Sequence, residues 1–468
     1  MIRGGLHCVP MFERLAIDLA AGALVRSLCV ADLDGCGSHA LLLGVEDGAN
    51  RLFALTPHGP VSCAADALAG PEETTVSLAA CDIDHDGAEE VMLAGTARRG
   101  GEGRVHLIDL AEGLLEERLE SDQGTALARM GEARVCTLAA DQPRPEGLLL
   151  APRGGPACFY AASPGPCRDR AAEYGLGEML AACGLLCAPL FGERAALVVF
   201  GEIGGSQLFL PDGAGIFGER RKGGGTALPS ARCGAAVGSP VHDGFDLFLA
   251  TIDGPLGLFT ADPRGGLADV SPPLMAAPAA VTGAVLADFD NDGADELFLC
   301  CSGEPNRLFG WREGGWRPLD IGAATLPLGA HRLAAALDLD GDGCLELLLF
   351  ADTSGVRESG LFRAGPAADN GWIRFLPLGP SGAPARGATV TLIDRGRRRR
   401  RVIDCGNGIV QSEPVAHFGL GRSGGPERVE IRWPDSAYLE LAAPAPRRLH
   451  RIPYPGAGIR RDAARSRA

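Results

Sequence analysis

Short apolar runs recur along the whole chain, each closed by Gly, Pro, Asn or Asp. Runs of about five residues bounded by turn formers are strand signals, and no long stretch with a 3.6-residue period competes with them. The segment from 284 to 321 shows the pattern most fully. Ala284–Ala287 enters an acidic turn and Glu296–Cys301 leaves it. Arg307–Gly310 (RLFG) and Gly315–Ile321 (GWRPLDI) supply two more runs. The third run reappears as RLFA at 51, QLFL at 207, GLFT at 257 and GLFR at 360. The expected unit is therefore four short strands.

That unit repeats. Its acidic turns begin at Asp32, Asp82, Asp288 and Asp338, in steps of 50, 206 and 50 residues. The long step leaves room for three degenerate copies, near Asp141, near 190, and near 239 where Asp243, Gly244 and Asp246 survive. Four strands at a period of 40 to 50 residues predict a β-propeller blade, so residues 11–369 read as seven blades. The segment Phe12–Asp18 resembles the fourth run of the sixth unit yet precedes the first, while the seventh unit ends after its third run. We expect this segment to supply the missing outer strand and so remove a free edge. From Asn370 the pattern changes to alternating runs joined by Gly-rich turns, which predicts a small β domain over 370–455. Residues 456–468 read as a disordered tail.

Three turns carry a specific chemistry. Asp82, Asp84, Asp86 and Glu90 fall at positions 1, 3, 5 and 9 of the first, with Gly87 at position 6. The same spacing holds for Asp288, Asp290, Asp292 and Glu296 around Gly293, and for Asp338, Asp340, Asp342 and Glu346 around Gly343. Glycine lets the backbone turn back so that alternate carboxylates converge. Six or seven oxygens at about 2.4 Å suit Ca²⁺, the expected ligand. Asp and Gly favour turns without any metal, but three full matches in phase favour binding. Four carboxylates held together also repel one another unless a cation neutralises them or some protonate. Position 12 is Leu93, Leu299 or Leu349 rather than Glu, and strands flank the loop, so a static site is expected rather than an EF-hand sensor. The first copy keeps Asp32 and Asp34 but places Cys36 at position 5 and Ala40 at position 9, which leaves binding there open.

Composition narrows the partners. The chain has 468 residues and a net charge of −15, which disfavours nucleic-acid binding and suits cation binding. No run approaches the roughly 18 apolar residues of a membrane-spanning helix. The 15 cysteines are scattered and form no CxxC pair, so buried free thiols are expected rather than a disulfide framework. The first ten residues, MIRGGLHCVP, lack the apolar core of a signal peptide.

The motifs resemble one known family. ADFDNDGADELFL followed by NRLF looks like an FG-GAP/VCBS repeat with its calcium loop. NGWIRFLPLG, ARGATVTL, EPVAHFGLG and VEIRWPD look like an ASPIC/UnbV domain. Together they resemble the cartilage acidic protein family over nearly the whole chain. The resemblance implies an all-β fold, a seven-bladed propeller with calcium loops and a C-terminal β domain. It also implies an extracytoplasmic or secreted, non-catalytic binding or adhesion scaffold, with a protein or glycan partner. A monomer is expected.

Two alternatives stay open: an enzyme using the propeller channel, and an intracellular partner-binding scaffold. Other motif matches read as structure. Gly213–Gly218 matches G-x-G-x-x-G but has no following helix, and Gly421–Gly425 matches G-x-S-x-G within a helix-free module. His417 reads as a packed strand residue. The basic run Arg395–Arg401 reads as a solvated turn and strand face rather than a nucleic-acid patch.

Overall fold

The computed structural model describes residues 11–456, apart from 21, 47, 64–67, 69–72, 98–104, 112–113, 120–132, 140–145, 153–155, 164–166, 178, 180–181, 202–204, 221–227, 252–253, 262–265, 326–329, 354–355, 366–369 and 423–424. The degenerate turn at Asp141, the chain start and the basic tail thus lie outside the described residues.

The fold is all-β and propeller-like. Strands consecutive in sequence form antiparallel sheets, as short apolar runs joined by tight turns must. The first sheet contains Val25–Ala31, Ala40–Val45, Arg51–Thr56 and Gly59–Cys63. The second contains Glu73–Cys81, Glu90–Ala97, Val105–Ala111 and Leu114–Glu117. The third has Ala133–Ala139, Glu146–Pro152 and Cys158–Ala161, with Tyr160 bridging Asp169 where a fourth strand would pair. The fourth, fifth and sixth begin at Ala182–Phe191, Ala231–Gly238 and Val281–Ala287. The seventh sheet takes Ala330–Leu337, Glu346–Thr353 and Val356–Ala364. Its outer strand is Phe12–Leu15, antiparallel, with Phe12 opposite Ala364 and Leu15 opposite Leu361.

Successive sheets pack face to face, and each pair shares a core. Leu78, Ala80 and Val91 of the second sheet pack on Cys29, Ala31 and Leu42 of the first. Leu333, Leu348 and Leu361 of the seventh pack on Leu28, Leu41 and Leu43 of the first. Cys29, Cys81, Cys136, Cys187, Cys233 and Cys300 fill these cores as buried free thiols, acting as small apolar side chains. Phe12 seals the core between the sixth and seventh sheets, its ring edge-on to Phe289 at 5.0 Å and Phe298 at 6.2 Å.

The C-terminal domain has two sheets. Gly371–Pro377 lies between antiparallel Ala416–Gly421 and parallel Leu449–Ile452. The other sheet runs Arg397–Val402, Thr389–Asp394, Arg428–Arg432, Tyr438–Ala442. Around Phe375, Phe418 and Trp433 they enclose a core separate from those between the preceding sheets.

This domain covers one end of the preceding sheets. Among the described residues, the turn between the first two strands meets it in six sheets, through Gly37, Gly87, Glu193, Asp243, Asp295 and Gly343. Its segment 404–413 enters the space framed by the first strands. Val410–Gln411 pairs in parallel with Val25–Ala31. Thr137 N donates to Cys405 O at 2.8 Å, Leu185 N to Asn407 O at 3.1 Å and Leu28 N to Ile409 O at 2.9 Å. A Cβ at Gly184 would stand 3.2 Å from Asn407 O and 2.8 Å from the Phe200 ring, so glycine is what lets the segment approach.

Phe12→Ala should cost about 3–5 kcal/mol in urea denaturation, because it empties a fully buried aromatic site. Ile17→Ala, at a position 45 % exposed, should change stability by no more than about 0.5 kcal/mol.

Candidate metal-binding loops

Each acidic turn starts where a first strand ends, and its own amides fold it. In the sixth sheet Asn291 and Gly293 adopt φ of 57° and 92°, the left-handed values a reversal here requires. Gly293 N then donates to Asp288 Oδ2 at 3.0 Å, Asp292 N to Asp290 Oδ1 at 3.1 Å and Ala294 N to Asp292 Oδ1 at 2.7 Å. Phe289 N donates to Glu296 Oε2 at 2.9 Å and ties position 9 back to position 2. The second sheet repeats this with Gly87, Asp86, Ala88 and Ile83 as donors to Asp82, Asp84, Asp86 and Glu90. The seventh repeats it around Asp338, Asp340, Asp342 and Glu346.

These turn bonds use one oxygen of most carboxylates and leave the other for a different partner. In the second and sixth loops several inward oxygens have no donor: Asp82 Oδ1, Glu90 Oε1 and Asp288 Oδ1 are buried without a hydrogen bond. Ligand atoms of Asp82, Asp84 and Asp86 lie within 4.8 Å of one another, as do those of Asp288, Asp290 and Glu296. Asp338, Asp340 and Glu346 converge likewise. Buried acceptors that converge without a donor fit a hard cation with oxygen ligands. The seventh loop fits less well, since both Asp338 oxygens accept backbone N–H bonds and Oδ2 also takes Arg374 at 2.5 Å.

Burial governs the protonation of these groups. It pushes Glu90 and Glu346 up to about 8, and raises Asp82 and Asp338. Asp288, Asp290 and Glu296 are raised together, first by burial and then by one another's charge. Burial thus favours the protonated form of these particular carboxyls.

Three elements lie outside the acidic motifs. First, each intact loop has an arginine at its rim. Arg312 reaches Glu296 at 2.5 Å, Asp290 at 3.2 Å and Asp292 at 3.4 Å. Arg363 reaches Asp340 at 3.0 Å, Asp342 at 3.2 Å and also Glu346. Arg118 holds Asp109 at 2.7 Å and Asp84. Repulsion among the carboxylates therefore has a third remedy, a guanidinium from the same sheet. The signal was present: Arg363 stands directly opposite Glu346 in register, inside the repeated GLFR run.

Second, Asp109 joins the second loop. It lies in Val105–Ala111, is 3 % exposed, and forms a cluster with Asp84 and Glu90 within 4.8 Å. Sheet register carries it there, beyond the reach of a nine-residue motif.

Third, Arg395 and Arg397 of the basic run are exposed at its turn, as expected, but Arg398, Arg400 and Arg401 form an interdomain seam rather than a solvated face. Arg401 pairs with Asp295, Arg400 with Glu193 at 2.8 Å, and Arg398 with Glu430 at 2.7 Å and Asp243 at 3.1 Å. Two deeper arginines of the same domain do more. Arg386, 1 % exposed, donates to Glu89 Oε1 at 2.9 Å, Val30 O at 2.6 Å, Asp404 O at 2.9 Å and Ser412 O at 3.0 Å. Arg374 bridges Asp338 and Glu413. Gln411, fully buried, accepts from Ala80 N at 2.6 Å and donates to Thr137 Oγ1 at 2.8 Å.

The space beside this segment is a cavity of about 190 Å³ walled by glycine and alanine of the first strands. Its polar lining includes Asp404, Glu413 and His417. Asp404 accepts from Gly406 N and Ser412 N, Glu413 is held by Arg374, and His417 Nε2 meets Asn291 Oδ1 at 2.7 Å. Burial pushes the His417 imidazole well below its usual range, leaving it neutral. Gly213–Gly218 forms the turn between Gln207–Pro211 and Phe217–Glu219, with Asp212 N donating to Ile216 O.

Comparison with known proteins agrees with the motifs. The ASPIC and UnbV family matches residues 379–459, and an FG-GAP-like repeat matches 288–349. Cartilage acidic protein 1 of Mus musculus is 28 % identical over 92 % of this chain and 75 % of its own. The Homo sapiens protein is 28 % identical over 92 % of this chain and 73 % of its own. Among solved structures, that of BBS1N in complex with ARL6DN aligns over 77 % of this chain and 99 % of that one, at 11 % identity and a TM-score of 0.47. This chain is thus a relative of cartilage acidic protein 1, with an FG-GAP-like repeat and an ASPIC and UnbV domain.

Arg386→Ala should cost about 3–5 kcal/mol in denaturant unfolding, since it leaves Glu89 buried and uncompensated. Adding Glu89→Gln should recover much of that loss. A pH effect also follows. With calcium chelated, Glu90 and Glu346 hold protons when folded that the unfolded chain releases near 4.5. Their contribution is full below that pH and is lost as pH rises through about 8. The chelated protein should therefore melt progressively lower from pH 5 to pH 8.

Proposed function

We propose that this protein is a calcium-bearing, seven-bladed β-propeller scaffold. Its calcium loops hold blade corners, and its C-terminal domain caps one end of the ring. The observation that carries the calcium reading is the set of buried carboxylate oxygens without donors in the second and sixth loops. Asp82, Asp84, Asp86 and Glu90 would hold one ion, and Asp288, Asp290, Asp292 and Glu296 another. Asp338, Asp340, Asp342 and Glu346 form a third and weaker candidate, because Arg374 already neutralises Asp338. The ion would supply charge neutralisation and a rigid corner.

Seven blades are supported by the shared cores between successive sheets, including the seventh with the first, and by Phe12–Leu15 on the seventh sheet. Closing the ring through the N-terminal strand leaves no edge at the join.

A binding role without catalysis suits the occupied channel mouth. Segment 404–413 fills the space where an active site would lie, and the polar groups beside it serve structural bonds. The relatives' name, cartilage acidic protein, supports an extracellular setting and a matrix protein or glycan as partner.

Calcium at about 100 times its dissociation constant should stabilise the protein by about 2.7 kcal/mol per site over the chelated form. Asp288→Asn should remove the sixth loop's share, while Asp338→Asn should change the calcium effect less. Equal melting temperatures with calcium and with chelator would sink the calcium reading.

A further inference from the structure

The first sheet's turn departs from the other three in a way that changes its chemistry. Asp32 is 1 % exposed, and both of its carboxylate oxygens are buried without a hydrogen-bond donor. Ligand atoms of Asp32, Asp34 and Cys36 lie within 4.8 Å of one another. Asp34 Oδ1 accepts from Cys36 N at 3.1 Å, the bond that links positions 3 and 5 in the intact loops, whereas their glycine-to-position-1 bond has no counterpart at Asp32. Ala40, in place of the closing Glu, contributes no oxygen.

The intact loops each carry an arginine on their carboxylates. Among the described residues, Asp32 and Asp34 have no arginine partner. The nearby Arg386 is spent on Glu89, whose Oε2 accepts from Asp32 N at 2.9 Å, and on three carbonyls. Here a buried carboxylate, a second carboxylate and a thiol face one another with no cation from the protein.

We propose that this turn is a metal site of a different class: a zinc-type centre with Asp32, Asp34 and the Cys36 thiolate as ligands. Two oxygens and one sulfur are too few and too soft for Ca²⁺, which takes six to eight oxygens. They suit a four-coordinate ion of borderline softness that keeps a water in its fourth position. Cys36 is exposed, so the open position faces solvent. Binding requires the thiolate, and Cys36 releases its proton to solvent as the ion enters. The site does not depend on calcium in the other loops.

The test uses the full chain, reduced, with calcium present in the Zn²⁺ and Cd²⁺ titrations and a parallel metal-free sample to which Ca²⁺ alone is added. Alkylation of each cysteine is followed by peptide mapping as Zn²⁺ is added. Zn²⁺ should slow alkylation of Cys36 by about tenfold or more, because a metal-bound thiolate is a poorer nucleophile, and should leave exposed Cys63 unchanged. Asp32→Asn should abolish that protection while the circular dichroism stays that of the parent. Cd²⁺ titration should show one equivalent of thiolate-to-metal charge-transfer absorption that Cys36→Ser removes. Unchanged Cys36 alkylation with Zn²⁺, or a full charge-transfer band in Cys36→Ser, would overturn the proposal. So would protection of Cys36 that Ca²⁺ alone gives equally in a metal-free start, since the turn would then be a degenerate calcium loop.

Discussion

Buried carboxylates must be neutralised, and much of this structure answers that requirement. Each acidic turn places at least one carboxylate at the end of a first strand, where neighbouring sheets exclude water. An isolated charge there is costly, so it protonates, pairs or binds a cation. The first two answers are built into the protein, and the geometry leaves room for the third. Glu90 and Glu346 are pushed up to about 8. Arg118, Arg312 and Arg363 reach in from the same sheets. Inward oxygens of Asp82, Glu90 and Asp288 stay free of donors and offer a cation its ligands.

The same requirement joins the two parts of the molecule. Arg386 and Arg374 come from the C-terminal domain yet lie 1 % and 5 % exposed against carboxylates at the strand ends. Removing either would strand its partner carboxylate, so undocking the domain costs more than surface pairs would suggest. Gly419 N donates to Asp288 Oδ2 at 3.0 Å, while Oδ1 of the same carboxylate faces inward. The first carboxylate of the sixth loop therefore also belongs to the domain contact.

Packing imposes a second constraint. First strands crowd together near the axis, and the segment 404–413 runs among them. Small residues stand at the closest approaches: a Cβ at Gly184 would lie 3.2 Å from Asn407 O, and Ala334 and Ala336 line the cavity beside the segment. Between the sheets, buried thiols pack among leucines; Cys136, Cys187 and Cys405 share one such core, bringing the C-terminal domain into it.

Much of this was legible in the chain. Alternating and short apolar runs with Gly and Asp turns specify an all-β fold, because local pattern decides strand or helix. The spacing of Asp288, Asp290, Asp292, Gly293 and Glu296 specifies the turn, because every bond that shapes it lies within nine residues. Asp109 was not legible, since only the register of Val105–Ala111 brings it beside Glu90. Nor was the role of the basic run, whose partners Glu193, Asp243 and Asp295 lie more than a hundred residues away in sequence. The sequence by itself determined the strands, the repeat and the acidic corners, all set by near neighbours. Only the tertiary structure decided which carboxylates arginine neutralises, which oxygens are left without a donor, and where segment 404–413 lies among the first strands. Those outcomes depend on side chains that meet only once the sheets and the C-terminal domain are assembled.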